Sequence, residues 1–281
     1  MSKSAAVAAV VIALNEAQRL PGWLASVAWA DERLVVDGGS TDATVEIAQQ
    51  AGARVVLRKF DFFTPQRNFA LRQASCPWVM FIDADERPTP ALAAEIRQRL
   101  PDCRQDAFRL KIRSSVFGRR FRFSGTQDDR PVRLVRRDAA EWIGGVHTGL
   151  ETPGPKGEMK GWIDHETMPD WATYWSKVQH YTSLDAQLRV SAGRSPVWHD
   201  PWVRPMREVF RRLFWKQGWL DGPRGWAFCL ASGLSEWELA TKHRRLWNAQ
   251  QPGGSRTIPQ RDLSNTMTQW PQLGLARLAT R

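Results

Sequence analysis

The sequence predicts an α/β fold: a Rossmann-like, mostly parallel sheet with flanking helices, followed by an α-helical C-terminal extension. Three observations carry this. Short apolar runs alternate with helix-patterned segments through the first part of the chain. Acidic, amide and glycine residues cluster directly after three of those runs. Beyond residue 170 the apolar positions recur at helical spacing instead.

The strand candidates are Ala8–Leu14, Leu34–Val36, Arg54–Leu57 and Trp78–Ile82. The first follows Lys3 and has some likeness to a signal peptide. It runs straight into Asn15-Glu16-Ala17-Gln18-Arg19 with no small-residue cleavage site, and its Val10-Val11-Ile12 centre suits a strand buried on both faces. Between the strands, Leu20, Trp23, Leu24 and Val27 share one helical face. Ser40-Thr41-Asp42 offers N-caps for a helix that turns Val45, Ala48 and Ala51 inward. Thr64-Pro65 and Thr89-Pro90 each set a capping hydroxyl before a proline at the first helical position, and Pro101 closes the second of these helices. Strands joined by helices of this length imply right-handed crossovers and parallel pairing.

From about residue 105 the pattern changes. Phe108–Ile112 and Val132–Val135 alternate apolar with basic residues, as half-exposed strands do, while Gly144-Gly145 and Thr152–Gly161 read as turns or loops. Asp170 caps a helix bearing Trp171, Tyr174, Trp175, Val178, Tyr181 and Leu188. Past Pro196 comes a basic helical pair. Val203, Met206, Val209, Phe210, Leu213 and Phe214 form a stripe opposite Arg204, Arg207, Arg211, Arg212 and Lys216. The stripe is expected to dock on the catalytic domain, leaving the arginines to face an anionic membrane, with a solvated basic face as the alternative. A break at Gly218–Pro223 precedes a helix from Arg224 to about Trp247, and the segment 251–281 shows no periodicity.

Composition narrows the function classes. The 281 residues carry a net charge of +11, which calls for an anionic partner: nucleic acid, an anionic membrane surface or a phosphorylated substrate. Most of the 15 tryptophans lie beyond residue 140 beside arginines, a pairing that suits a lipid interface and equally a tryptophan-rich core. No run approaches the roughly 20 apolar residues of a membrane-spanning helix. Cys76, Cys103 and Cys229 are odd in number and form no C-x-x-C pair, so they suit a reducing compartment better than a disulfide framework.

The chemistry lies at three strand ends: Asn15-Glu16, Asp37-Gly38-Gly39-Ser40 and Asp83-Ala84-Asp85-Glu86. In an open parallel sheet, ligands bind outside the carboxyl ends of the strands, so these loops line one crevice. Asp83 and Asp85, one residue apart after a buried strand, can reach one hard cation, which oxygen ligands bias toward magnesium or manganese. Such a triplet alone is equally a solvated turn or helix cap.

Three blocks, Val11–Glu16, Leu34–Thr44 and Phe81–Arg87, together resemble family-two glycosyltransferases of the GT-A fold, and within them the bacterial branch that includes lipopolysaccharide-core β-glycosyltransferases. Gln66-Arg67-Asn68, Trp142-x-x-Gly145-Val146-His147, His165 and Lys216–Gly225 also fit that branch, so the likeness covers about residues 8–250. It implies a GT-A catalytic domain over 1–168, a basic, tryptophan-rich helical extension over 169–250 and a loosely ordered tail over 251–281. It further implies inverting transfer of a sugar from a nucleotide-sugar donor, a UDP-sugar by preference, onto an acceptor hydroxyl. The acceptor would be a glycolipid or oligosaccharide in envelope polysaccharide synthesis, reached from the cytoplasmic face of the membrane.

By the same resemblance Glu16 and Asp37 contact the nucleoside, and Asn15, Arg67 and Ala84 belong to the donor site. Asp83 faces the ribose or the metal, Asp85 binds Mn2+ or Mg2+, and His165 adds a ligand. Two departures bear on this. Gly38 stands where many relatives carry a second acid, which weakens the case for uridine over other bases. Thr148 stands where the branch often carries a glutamate, and a hydroxyl cannot serve as a base at neutral pH. Glu151, and after it Asp128 and Asp129, are then the candidate general bases. His147 could orient acceptor or diphosphate. Two rivals stay open: transfer onto a polyprenyl phosphate, and a basic nucleic-acid-binding protein. The second would leave the acidic crevice unexplained, so no nucleic-acid partner is expected.

Overall fold

A computed structural model describes residues 5–126, 130–144, 149–168 and 170–250. These fall into two compact units, one holding most of the sheet up to residue 167 and the other holding 114–126 together with the chain from Met168 onward. The strands are β1 (Val7–Ala13), β2 (Glu32–Asp37), β3 (Arg54–Leu57), β4 (Trp78–Phe81), β5 (Glu86–Pro88), β6 (Ala107–Val116), β7 (Arg119–Arg120), β8 (Val132–Arg136), β9 (Glu141–Ile143), β10 (Gly149–Glu151) and β11 (Lys156–Met168). The helices are α1 (Leu20–Ser26), α2 (Thr44–Gln50), α3 (Phe63–Gln73), α4 (Pro90–Arg99), α5 (Trp171–Ser191), α6 (Asp200–Phe210) and α7 (Gly222–Gln250).

The main sheet runs β3-β2-β1-β4-β8-β6-β11-β5. Its first four strands are parallel, as the alternation of runs and helices predicts. β8 then pairs antiparallel to β4 and to β6, and β5 antiparallel to β11, so the sheet is mixed beyond β4. β1 sits inside the parallel half and is buried on both faces. Val7, Ala9, Val11 and Ala13 face a core with Leu20, Trp23 and Leu24 of α1 and Leu92 and Ile96 of α4. Ala8 and Val10 face a second core with Ala70 and Leu71 of α3 and Trp142. This period-two division is why the strand reads as one continuous apolar run.

Several local expectations change. Thr89 caps α4 as predicted, its hydroxyl accepting from the Leu92 amide at 3.3 Å. Thr64 does not cap α3, which starts at Phe63; its hydroxyl donates to the Gly144 carbonyl at 2.6 Å instead. The predicted loop Thr152–Gly161 becomes strand from Lys156, because pairing within the sheet overrides its Pro/Gly-rich composition.

In the second unit, Val116, Phe121, Tyr174, Val178 and Phe228 form a core of their own. Asp170 caps α5 by accepting from the Thr173 amide at 2.7 Å. The segment Gly218–Gly225 is a tight elbow. A Cβ on Gly225 would lie 2.3 Å from the Gly218 carbonyl oxygen, and one on Gly218 would lie 2.5 Å from Cys229 Sγ. The Asp221 carboxylate accepts from the amides of Arg122 and Phe123, at 2.9 and 3.1 Å, and from the Ser124 hydroxyl at 2.8 Å.

The face assignment of α6 is the main correction. Of the six residues expected to dock, Leu213 is buried and Val209 packs against α7, but Val203, Met206, Phe210 and Phe214 are exposed. Of the arginines expected to face outward, Arg207 is exposed, whereas Arg204 pairs with Glu236 of α7 at 2.8 Å, and Arg211 and Arg212 pair with Glu208. The reason lies in α7, whose Gly233 leaves room for Val209 to approach and whose Glu236 captures Arg204. The tail 251–281 lies outside the described residues.

Candidate active site

The loops after β1 and β2 are laced together. Asn15 adopts a left-handed conformation, φ 56°, which asparagine tolerates better than most residues. Its side-chain oxygen accepts from the Thr41 amide at 2.8 Å, while its own amide donates to the Ser40 hydroxyl at 2.9 Å. The Glu16 amide donates to the Thr44 hydroxyl at 2.8 Å. Asp37, fully buried, uses one oxygen to accept from the amides of Gly39 and Ser40 and the other to accept from the Ser40 hydroxyl. In this structure both its oxygens therefore organise the turn. Glu16 is nearly buried, and burial pushes its carboxyl up to about 7 although the Arg19 guanidinium, 3.0 Å away, pulls the other way.

The end of β4 carries the acids, and three arginines manage them. Arg133 of β8 is buried and donates to Asp83 Oδ2 at 2.9 Å and to Glu86 Oε1 at 2.8 Å. The other Glu86 oxygen accepts from the Asp83 amide at 2.9 Å, closing the turn on itself. Arg67 of α3 lies 3.6 Å from Asp83 Oδ1. Burial alone would raise the Asp83 carboxyl, but Arg133 and Arg67 outweigh it and hold it below the ordinary carboxylate range. Burial wins at Glu86 and raises it, Arg133 notwithstanding. Arg87 donates to the Ala84 carbonyl at 2.6 Å and to the Arg19 carbonyl at 2.8 Å, so the Asp83–Glu86 turn is tied to the start of α1.

Asp85 points elsewhere. Its Oδ2 lies 3.3 Å from His165 Nε2, and both side chains are close to buried. The neighbouring backbone explains the meeting: β11 pairs with β5 so that His165 lies opposite Glu86, and the Glu166 amide donates to the Asp85 carbonyl at 3.2 Å. A carboxylate oxygen and an imidazole nitrogen converging at the end of a strand make a donor pair that fits a divalent cation. Among the described residues, no group of three or more His, Cys, Asp or Glu side chains is arranged around one point.

Each member of Gln66-Arg67-Asn68 has a separate task. Gln66 accepts from the Arg58 guanidinium at 2.8 Å and donates to the Arg58 carbonyl at 3.0 Å. The Arg67 guanidinium lies 4.4 Å from the Trp142 ring centroid and 5.4 Å from that of Phe63. Asn68 grips the Trp142 backbone twice, donating to its carbonyl and accepting from its amide, each at 2.8 Å. The triplet thus fixes Arg67 beside Asp83.

Asn15, Glu16, Asp37, Arg67, Asp83, Ala84, Asp85 and His165 all belong to the sheet unit. Glu151 does too, on the two-stranded β9–β10 sheet, where its half-exposed carboxylate pairs with Lys156 at 2.6 Å. Asp128, Asp129 and His147 lie outside the described residues. Sequence reasoning missed Arg133. Its strand reads as half exposed, and only the pairing of β8 with β4 turns Arg133 toward the acids.

A family model described as glycosyl transferase family 2 matches residues 8–149, just over half of the chain. The lipopolysaccharide core biosynthesis glycosyltransferase LpsC of Rhizobium meliloti is 29% identical over 229 residues, 75% of this chain and 83% of its own. A glycosyltransferase of Rickettsia felis is 36% identical over 110 residues, 38% of this chain and 39% of its own, so the chain spans well under half of that relative. Among solved structures, the glucosyl-3-phosphoglycerate synthase of Mycobacterium tuberculosis in complex with Mn2+, UDP-glucose and phosphoglyceric acid is 27% identical. It aligns with a TM-score of 0.33 over 40% of this chain and 44% of that one. TarS of S. aureus is 12% identical with a TM-score of 0.44, over 87% and 90%. The matched span 8–149 takes in the ends of β1, β2 and β4 with Arg67 and Arg133, while Glu151 and His165 lie beyond it, and with it the chain belongs to glycosyl transferase family 2.

Proposed function

We propose that the chain is an inverting, metal-dependent glycosyltransferase that moves a sugar from a nucleotide-sugar donor, a UDP-sugar, onto an acceptor hydroxyl. The acceptor is a glycolipid or oligosaccharide of lipopolysaccharide or another envelope polysaccharide, and the LpsC likeness supports that class. The observation that carries the reading is the division of labour at the end of β4. Asp85 meets His165 at 3.3 Å while Asp83 is held by Arg133 and Arg67.

Asp85 and His165 would hold Mn2+ or Mg2+. When bound, that ion supplies positive charge to the donor diphosphate as the sugar–phosphate bond breaks. The chain's own contribution is positioning. Arg133 keeps Asp83 ionised and aimed at the crevice, where it can accept from a ribose hydroxyl. The Asn15–Thr44 lacing sets Glu16, poised near neutrality, beside the nucleoside position. The glycines after Asp37 let the backbone approach the ligand. Inversion requires one in-line displacement, with a carboxylate taking the acceptor proton. Glu151 would exchange Lys156 for the acceptor hydroxyl to do so, and Asp128 and Asp129 are the alternative acids.

The test is metal-dependent nucleotide binding. Mn2+ with UDP should raise the melting temperature of the wild type, and Asp85→Asn should lose that response and all transfer while its circular dichroism stays native. Full transfer by Asp85→Asn would overturn the assignment. Among Glu151→Gln, Asp128→Asn and Asp129→Asn, the variant that keeps the melting response but loses turnover identifies the base.

A further inference from the structure

The residues of the second unit present a face that the transfer chemistry does not use. Trp198 in the turn before α6, Trp202, Met206 and Phe210 on α6 and Phe214 after it recur every fourth residue, and Trp215 follows. Their exposures are 77%, 66%, 73%, 61%, 54% and 79%. A spacing of four drifts around an α-helix with 3.6 residues per turn. The drift is about 40° per step, so Trp202, Met206 and Phe210 spread over about 80° of α6 as one broad face; Arg211–Trp215 then form a π-helical turn, across which Phe210 and Phe214 stay in ring contact at 5.0 Å. A soluble surface seldom exposes so many large apolar side chains in one row without an occupant.

Charge and residue type select the occupant. Exposed Arg207 lies on the same helix, exposed Arg224 opens α7, and the chain as a whole carries +11. Two copies of so basic a chain repel each other, whereas an anionic bilayer attracts it. Tryptophan carries an apolar ring and a polar N–H that suit the level of lipid headgroups, with phenylalanine and methionine reaching deeper. Of the arginines on this helix and turn, Arg204 and Arg212 are largely covered in pairs with Glu236 and Glu208, while Arg207 stays exposed and Arg211, paired with Glu208, stays partly so.

We propose that α6 and the turn after it form a membrane-insertion face, lying in the plane of an anionic bilayer with the Trp198–Trp215 stripe sunk into the headgroup–acyl boundary. The face holds the enzyme on the surface where a lipid-anchored acceptor resides. For that acceptor the inference rests on the reading above; for the membrane contact it stands on the stripe alone.

Flotation of the full chain with vesicles tests it, using phosphatidylcholine alone and phosphatidylcholine mixed with phosphatidylglycerol. The wild type should float with the anionic vesicles, its tryptophan emission should shift to the blue, and added salt should weaken binding without abolishing it. Trp202→Ser with Phe210→Ser should lower vesicle partitioning by about tenfold or more, since it removes two large apolar anchors. Both positions are exposed, so circular dichroism and the Mn2+–UDP melting response should be unchanged. No flotation, or flotation that the double substitution leaves intact, would overturn the proposal. So would a concentration-dependent dimer that the double substitution dissolves, since the face would then be covered by a second copy. The melting response, measured on the same samples, reports separately on the transferase reading.

Discussion

At the scale of single residues, the site is a set of acids held in different protonation states by different neighbours. Glu16 has a folded value of about 7 against 4.5 for the free side chain. Between those values the folded state keeps a proton that the unfolded state releases, so stability falls as pH rises from about 4.5 to 7. Glu16→Gln should remove that slope and leave the protein more stable than wild type at pH 7.5, by up to about 3 kcal/mol. The two should converge near pH 4, as urea unfolding at both pH values would read. Arg133 works in the opposite sense. Arg133→Met strips the cation from buried Glu86 and leaves Asp83 with Arg67 alone, and should cost about 3–5 kcal/mol, because Glu86 is then a buried acid without its partner. The loss should be smaller in acid, where the carboxyls are protonated. Asp83 and Asp85 were legible as strand-end acids; which faces arginine and which faces histidine was not. Their side chains diverge because β8 brings Arg133 to one and β11 brings His165 to the other.

At the scale of elements, the parallel strands and their helices were readable because strands buried on both faces must be apolar throughout. The antiparallel half was harder. β11 begins inside a Pro/Gly-rich stretch whose composition favours a loop, and its pairing within the sheet prevails. The Lys216–Gly225 motif gains a structural reason here: its glycines allow the elbow into α7 to close. Gly225→Ala would press a methyl group onto the Gly218 carbonyl and Asp221, and should destabilise the helical unit by about 1–3 kcal/mol. Thermal unfolding followed by circular dichroism would register the loss. Helix α6 shows the limit of amphipathic reasoning. A helical pattern reveals that two faces differ, but whether the apolar one meets protein or lipid depends on what packs beside it.

At the scale of the whole molecule, two units and a strong positive charge frame the function. A nucleotide that binds only the folded protein stabilises it by about 2.7 kcal/mol at a hundredfold excess over its dissociation constant. Mn2+–UDP should therefore raise the melting temperature by on the order of 5 °C, measured as a ligand titration in which metal or nucleotide alone gives less. The sequence by itself determined the α/β class, the parallel strands and the three strand-end clusters, because burial and turn chemistry are written locally, while the order of those strands in the sheet came from the tertiary structure. Only the tertiary structure decided that Arg133 governs Asp83, that His165 meets Asp85, and that α6 turns its aromatic stripe outward. Each of these depends on a neighbour distant in the chain, and no local pattern specifies which strand or helix that neighbour will be.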